Sequence, residues 1–271
     1  MKRRSFLTTA AATLASPLLA ENTPPARLGV PLYQEPLPFR FEDLRPCFSA
    51  DALRRHYELH HANHLSKLKE TLDAQSISVG NVAALMSNIE GIIRPSNSRS
   101  VLPLGRLISL GMSGSSDHVL PPKTVRVIRQ SGGGHVNHTA FWRFLGPHGS
   151  GPSGPQGDSA RAIREHFGSV RNFRRFFKEV AMSHVGSGWA WLVFRQDKAL
   201  VVTTTFNEDN PLMKDIIPWH QAGRPILALD LWEHSYYDAH GDDRESYVDS
   251  WWKVVNWTFV ERAYQIVTKI S

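Results

Sequence analysis

The chain has 271 residues, 41% of them apolar and 21% charged, a balance that excludes disordered and fibrous classes and leaves room for one large domain or two modest ones. Its net charge of +6 is partly carried by Lys2, Arg3 and Arg4 of an N-terminal leader; the other basic residues form no run interleaved with Gly or aromatics, so neither a nucleic-acid nor a membrane partner is indicated. A single cysteine, Cys47, excludes an internal disulfide, whereas eight Trp and 13 His favour a rigid-walled site with metal or proton chemistry.

Residues 1–20 have a basic start, an Ala/Leu-rich middle and small residues before a cut after Ala20, the plan of a signal peptide. Arg3-Arg4-Ser5-Phe6-Leu7 resembles a twin-arginine export signal, which predicts delivery of a folded protein to the periplasm or beyond. A Pro-rich linker follows over 21–38. Ser49 is a good N-cap for a long helix with Asp51 in its first turn and Leu53, Tyr57, Leu65, Leu68 and Leu72 as its apolar stripe. His56, His60 and His64 recur every four residues on this helix, so an α-helical period sets them on one face with a modest drift. A weaker helix is expected over 79–89, then a Ser/Gly/Pro-rich surface insertion over 91–119.

Pro121-Pro122 suits a helix start, and Gly146-Pro147 its end. Within it, Gly132-Gly133-Gly134 precedes His138. Three glycines read either as a loop or as room for close packing beside a site. A Gly/Pro/Ser linker over 148–157 marks the best boundary, giving an N-terminal domain over 39–147 and a C-terminal domain over 158–271. In the second part a helix begins at Asp158 or Ser159 and another at Ser169. Strands are expected over 189–195 and 199–206, joined by Gln196-Asp197-Lys198, with a buried strand over 225–231. Residues 245–270 form a closing helix or helix pair. The pattern is an all-α half joined to an α+β half.

Asp230 ends the third strand, and His234 lies four residues on. A buried carboxylate is costly unless paired, and a cation offsets that cost. Three imidazoles and one carboxylate make a thiolate-free set that suits iron or manganese, with zinc chemically open.

Four segments carry a more specific signal: His56-Tyr57-Glu58-Leu59-His60-His61, Gly133-Gly134-His135-Val136-Asn137-His138-Thr139-Ala140-Phe141-Trp142, Gly186-Ser187-Gly188-Trp189-Ala190-Trp191-Leu192 and Asp230-Leu231-Trp232-Glu233-His234-Ser235-Tyr236-Tyr237. In this order they resemble the signatures of the iron/manganese superoxide dismutases, and residues 252–264 are similar too. The resemblance implies an N-terminal helical hairpin followed by an α+β domain with a three-stranded antiparallel sheet. It implies metal ligands at His56, His138, Asp230 and His234, and an aromatic wall of Trp142, Trp189, Trp191 and Trp232. It also implies a homodimer, with Tyr237 toward His60 of the partner subunit and Glu233 toward the partner's His234, and Arg244 near the substrate mouth. The implied reaction turns two superoxide anions and two protons into dioxygen and hydrogen peroxide on one Mn or Fe ion.

Two departures from the family pattern stand out. His64 occupies the position of a gateway Tyr. Gly134 stands where iron-type members supply a Gln, which leans toward manganese. The manganese-type Gln position, before Pro211-Leu212-Met213, falls on Glu208 or on the adjacent Asn207. The catalytic candidates are therefore His64, His60, Tyr237 and Glu208. A catalytically impaired metal-binding homologue stays open, as does a non-redox zinc hydrolase with Glu208 as its base.

Overall fold

Ser49 opens the first helix as its side-chain oxygen accepts the Ala52 N–H at 3.3 Å. The computed structural model describes residues 28–89, 112–113 and 120–270; the leader, the start of the linker and most of the 91–119 insertion lie outside the described residues. From Ser49 one helical run continues to Ala74 but changes period on the way. α1 (Ala50–Arg55) passes into a π-helical turn (His56–His61) and then into α2 (Ala62–Ala74). The turn widens the helix by one residue and breaks the four-residue histidine stripe expected above. His56 and His61 are buried, His60 is exposed and His64 is half-buried.

β1 (Ser78–Val79) pairs antiparallel with β2 (Met112–Ser113), so part of the insertion returns to the fold. α3 (Val82–Ser87) starts at Asn81, whose side chain accepts the Ala83 and Ala84 N–H groups. α4 (Pro122–Arg143) has Pro122 at its first turn and packs along α2. Leu68, Leu72, Met86, Ile128 and Val136 make a core between these helices. The three glycines sit inside α4 rather than in a loop. A Cβ on Gly133 would run into the Glu208 carbonyl, and one on Gly134 into the His64 ring. Close approach, not backbone freedom, is what they provide.

α5 (Gly157–Phe167) begins slightly before the expected Asp158 or Ser159. It has no local side-chain cap; Glu261 accepts the Asp158 and Ser159 N–H groups at 3.0 and 2.7 Å. α6 (Val170–Ser183) is capped by Ser169. β3 (Gly188–Phe194), β4 (Leu200–Phe206) and β5 (Arg224–Asp230) form an antiparallel sheet in the order β4-β3-β5. Every residue of the central strand β3 is buried, which explains its unbroken apolar run where an exposed sheet would alternate. α7 (Glu233–His240), α8 (Arg244–Trp251) and α9 (Trp257–Lys269) follow, so the closing segment is a helix pair.

The architecture is α+β, a helical region followed by helices around a three-stranded antiparallel sheet. One core joins Leu53, Phe141 and Trp142 of the first part to Trp189, Trp191 and Leu229 of the sheet. Cys47 lies in that core, its thiol 3.0 Å from the Ser250 carbonyl, as a small buried side chain. Among the described residues no helix is long and apolar enough to cross a membrane.

Candidate metal centre

β5 pairs with β3 so that Asp230 faces Trp189 across the sheet, at the end pointing toward the helices. Asp230 is fully buried. Its Oδ1 accepts the Trp232 N–H at 2.8 Å. Its Oδ2 lies 3.1 Å from His56 Nε2 and 3.4 Å from His234 Nε2. His234 arrives in the first turn of α7, His56 at the start of the π-turn and His138 from α4. The Nδ1–H of His138 donates to the Gly134 carbonyl one turn back, at 2.6 Å, which leaves Nε2 as the free atom.

The Nε2 atoms of His56, His138 and His234 and a carboxylate oxygen of Asp230 lie within 4.8 Å of one another. These three nitrogens and Asp230 Oδ2 are buried without a hydrogen-bond partner. One orphaned buried polar atom is uncommon, and four converging on one point are costly unless a cation satisfies them. The donor set and its convergence fit a single divalent or trivalent metal ion.

The electrostatics agree with that use. Burial pushes His56 down to about 4 and His138 well below the usual imidazole range, so both are neutral ligands in waiting. Burial alone would raise Asp230, but His234 and His56 outweigh it and hold the carboxyl well below its ordinary value. Burial likewise opposes charge on His234, and the adjacent Asp230 reverses that and raises it.

Aromatic rings close the surroundings. Trp142 meets the His56 ring edge-on at 4.8 Å, Trp189 meets His138 at 5.2 Å and Trp232 stacks on His234 at 5.7 Å. Trp191 stands behind Trp189, stacked at 5.7 Å, and spends its N–H on Thr205. The exposed His60 stacks on His234 at 4.2 Å, and Glu233 and Tyr237 are exposed on α7. Arg244 is committed to carbonyls, donating to His184 at 2.7 Å and to Leu231 at 3.3 Å.

A second polar layer surrounds Glu208, which is 3% exposed. Its Oε2 accepts from Asn137 Nδ2 at 3.1 Å and Trp189 Nε1 at 3.2 Å. Its Oε1 faces His64 Nε2 at 3.4 Å. Asn210 donates to the Asn137 oxygen at 2.9 Å and fixes which end of that amide is which. Burial raises the Glu208 carboxyl and His64 only partly offsets it. Asn207, the other residue considered for this position, is exposed with φ +51°.

The π-turn also exposes what a regular helical reading misses. His61 is buried beside the His138 ring, and it is hydrogen-bonded at 2.8 Å to the equally buried His135. Both stand in the quoted signature segments, but no spacing rule for an α-helix singles them out.

Fold and donor set together define an α+β protein with a mononuclear metal centre as its candidate site. Residues 155–263 match the family model of the iron/manganese superoxide dismutases, C-terminal domain. Superoxide dismutase [Mn] 1 from Leptolyngbya boryana is 34% identical over 256 residues, covering 94% of this chain and 86% of the relative. Superoxide dismutase [Mn] 3 from the same organism is 32% identical over 239 residues, covering 88% and 85%. The chain belongs to the iron/manganese superoxide dismutase family.

Proposed function

We propose that the chain is an exported superoxide dismutase that uses one Mn or Fe ion to convert two superoxide anions and two protons into dioxygen and hydrogen peroxide. The observation that carries this reading is the set of four buried, unpartnered donor atoms of His56, His138, Asp230 and His234. A bound ion of this kind supplies one-electron chemistry, alternating between +3 and +2. A set of three nitrogens and one oxygen without thiolate suits iron and manganese, and the Mn names of both relatives favour manganese.

The chain's own residues supply charge, dryness and protons. Asp230 contributes the single negative charge among the four donors. Trp142, Trp189 and Trp232 exclude water from their edges. His64, half-buried, joins solvent to Glu208 Oε1 and can pass a proton inward. His60 and Tyr237 stand on the exposed side of His234, and with Glu233 they are the proposed contacts to a second copy.

A second reading is a metal-holding homologue with impaired catalysis. Glu208 favours it, because a buried carboxylate adds a negative charge and stabilises the higher oxidation state. Elemental analysis of natively purified protein, paired with a superoxide assay, tests both. Mn- or Fe-loaded protein that removes superoxide supports the enzyme; loaded but inactive protein supports the second reading. Zinc alone at full occupancy would sink the dismutase reading and favour the hydrolase.

A further inference from the structure

His61 and His135 are 1% and 0% exposed, and neither belongs to the four converging donors. Yet each of their nitrogens is engaged. Trp142 Nε1 lies 3.1 Å from His61 Nδ1, His61 Nε2 lies 2.8 Å from His135 Nδ1, and His135 Nε2 lies 2.8 Å from the Pro31 carbonyl oxygen. The two ends fix the direction of this chain of bonds. An indole N–H only donates and a carbonyl only accepts. His61 Nδ1 therefore accepts, its proton sits on Nε2 and is donated to His135 Nδ1. The His135 proton sits on Nε2 and is donated to Pro31. Two neutral rings satisfy every position.

At one end of this chain the His61 ring lies face to face with His138, 5.4 Å between centroids and 13° apart in plane. The bond from His138 to Gly134 aims the ring within its plane but does not stop it tilting. The stacked His61 face does. The π-turn delivers His61 to that place; an unbroken α-helix would have turned His60 toward it.

At the other end, Pro31 belongs to an irregular strap over 28–35, anchored by Val30 in the core with Leu68, Leu72 and Val136. The strap is fastened by Asn81 and Val82 to Val30, by Arg143 to Gly29 and Glu35, and by Tyr57 to Gln34 and Glu35. Resting on the metal-centre reading above, we infer that His61 and His135 are positioning residues. They clamp the ring of His138 and couple it to the strap, so that the strap governs how tightly the centre retains its ion.

Variants at His135 separate bond polarity from volume. His135→Gln keeps the polarity, since its amide oxygen accepts from His61 and its amide nitrogen donates to Pro31. His135→Leu fills similar space with neither bond. His61→Phe keeps a stacking face but loses both of its bonds. Full-length protein loaded with Mn is mixed with excess EDTA, and metal loss is followed by elemental analysis together with the absorption spectrum of the oxidised ion. Leu at 135 is expected to release Mn about tenfold faster than wild type, the low end of what loss of outer partners costs metal sites in affinity, and Gln within about threefold of wild type. The His61→Phe rate is expected between them, with a shifted spectrum.

Equal release by wild type and His135→Leu overturns the inference. So does a Gln variant as fast as Leu, because volume rather than bond polarity would then hold the ring. If the Leu variant does not fold, the test passes to His61→Phe, and release at the wild-type rate overturns it. Wild type that takes up neither Mn nor Fe fails the metal reading itself, which is seen before any variant is compared.

Discussion

Trp189 donates its indole N–H to Glu208 Oε2 at 3.2 Å while its ring meets His138 at 5.2 Å. One side chain thus touches both the candidate ligand set and the buried carboxylate behind it. Asn137 donates to the same Oε2, so that oxygen is an acceptor in any protonation state, and a proton on Glu208 belongs on Oε1, facing His64.

Glu208→Gln should therefore fold without rearrangement, its amide oxygen taking the two donors now on Oε2. The change removes a negative charge when the carboxyl is ionised. A Glu208 carboxylate oxygen lies within 4.8 Å of a ring nitrogen of the candidate ligand His138, and two unit charges ~5 Å apart at an effective dielectric of ~20 interact by roughly 3 kcal/mol, or ~140 mV for one electron. Redox titration of the loaded protein should find the variant's midpoint potential higher by about that amount. The gap should shrink as pH falls through the raised pKa of Glu208, where both side chains are neutral. Equal potentials at all pH values would mean that Glu208 stays protonated throughout.

Gly134→Ala tests the close approach of α4 to His64. A Cβ there overlaps the His64 ring, so the variant should lose about 1–3 kcal/mol in denaturant unfolding, the usual cost of overpacking. His64→Ala removes the obstructing ring. The double variant should then recover much of that loss, and simple additivity of the two single changes would refute the contact as the cause.

Much of the fold is legible in the sequence because its signals are local. Ser49 caps a helix, Pro122 opens one, and the apolar run of β3 against β5 announces a buried sheet. Asp230 and His234 are legible by themselves, since they are close in sequence and a buried Asp calls for a cation, whereas His56 and His138 are singled out only through the resemblance of their segments to the family's signatures. The histidine stripe misleads for a physical reason. A period of 3.6 pairs His56 with His60, and only the π-turn brings His61 inward instead. The hydrogen bond between His61 and His135, 74 residues apart, has no local signature at all. The glycines of α4 are ambiguous for the same reason, because the groups they make room for, His64 and the Glu208 carbonyl, come from elsewhere in the chain.

Glu261 ties α9 to the start of α5 across more than 100 residues. Burial alone would raise its carboxyl, but the Ser159 and Asp158 N–H groups outweigh that and lower it. A depressed acid contributes stability that is complete above its unfolded value and is lost as pH falls through its folded value. Glu261→Ala should cost ~1 kcal/mol at pH 7, as for loss of a helix cap. Thermal unfolding across pH should show the two proteins converging in acid. A gap that persists at the lowest pH at which both still fold would assign the effect to packing.

Metal uptake reports on protons as well. A ligand nitrogen must be free of its proton before it binds. Burial holds His56 at about 4 and His138 well below the ordinary imidazole range, so both are neutral ligands, and Asp230 is already ionised. His234 is the exception, because Asp230 raises it above the ordinary imidazole value. Loading apoprotein with Mn at pH 6 in weak buffer should therefore release about one proton per ion, falling toward zero as pH rises past the His234 value. Calorimetry in buffers of different ionisation enthalpy measures that number. Release of two or more protons at pH 6 would mean that His56 or His138 is charged in the apoprotein, and the neutral buried ligand pair would be wrong.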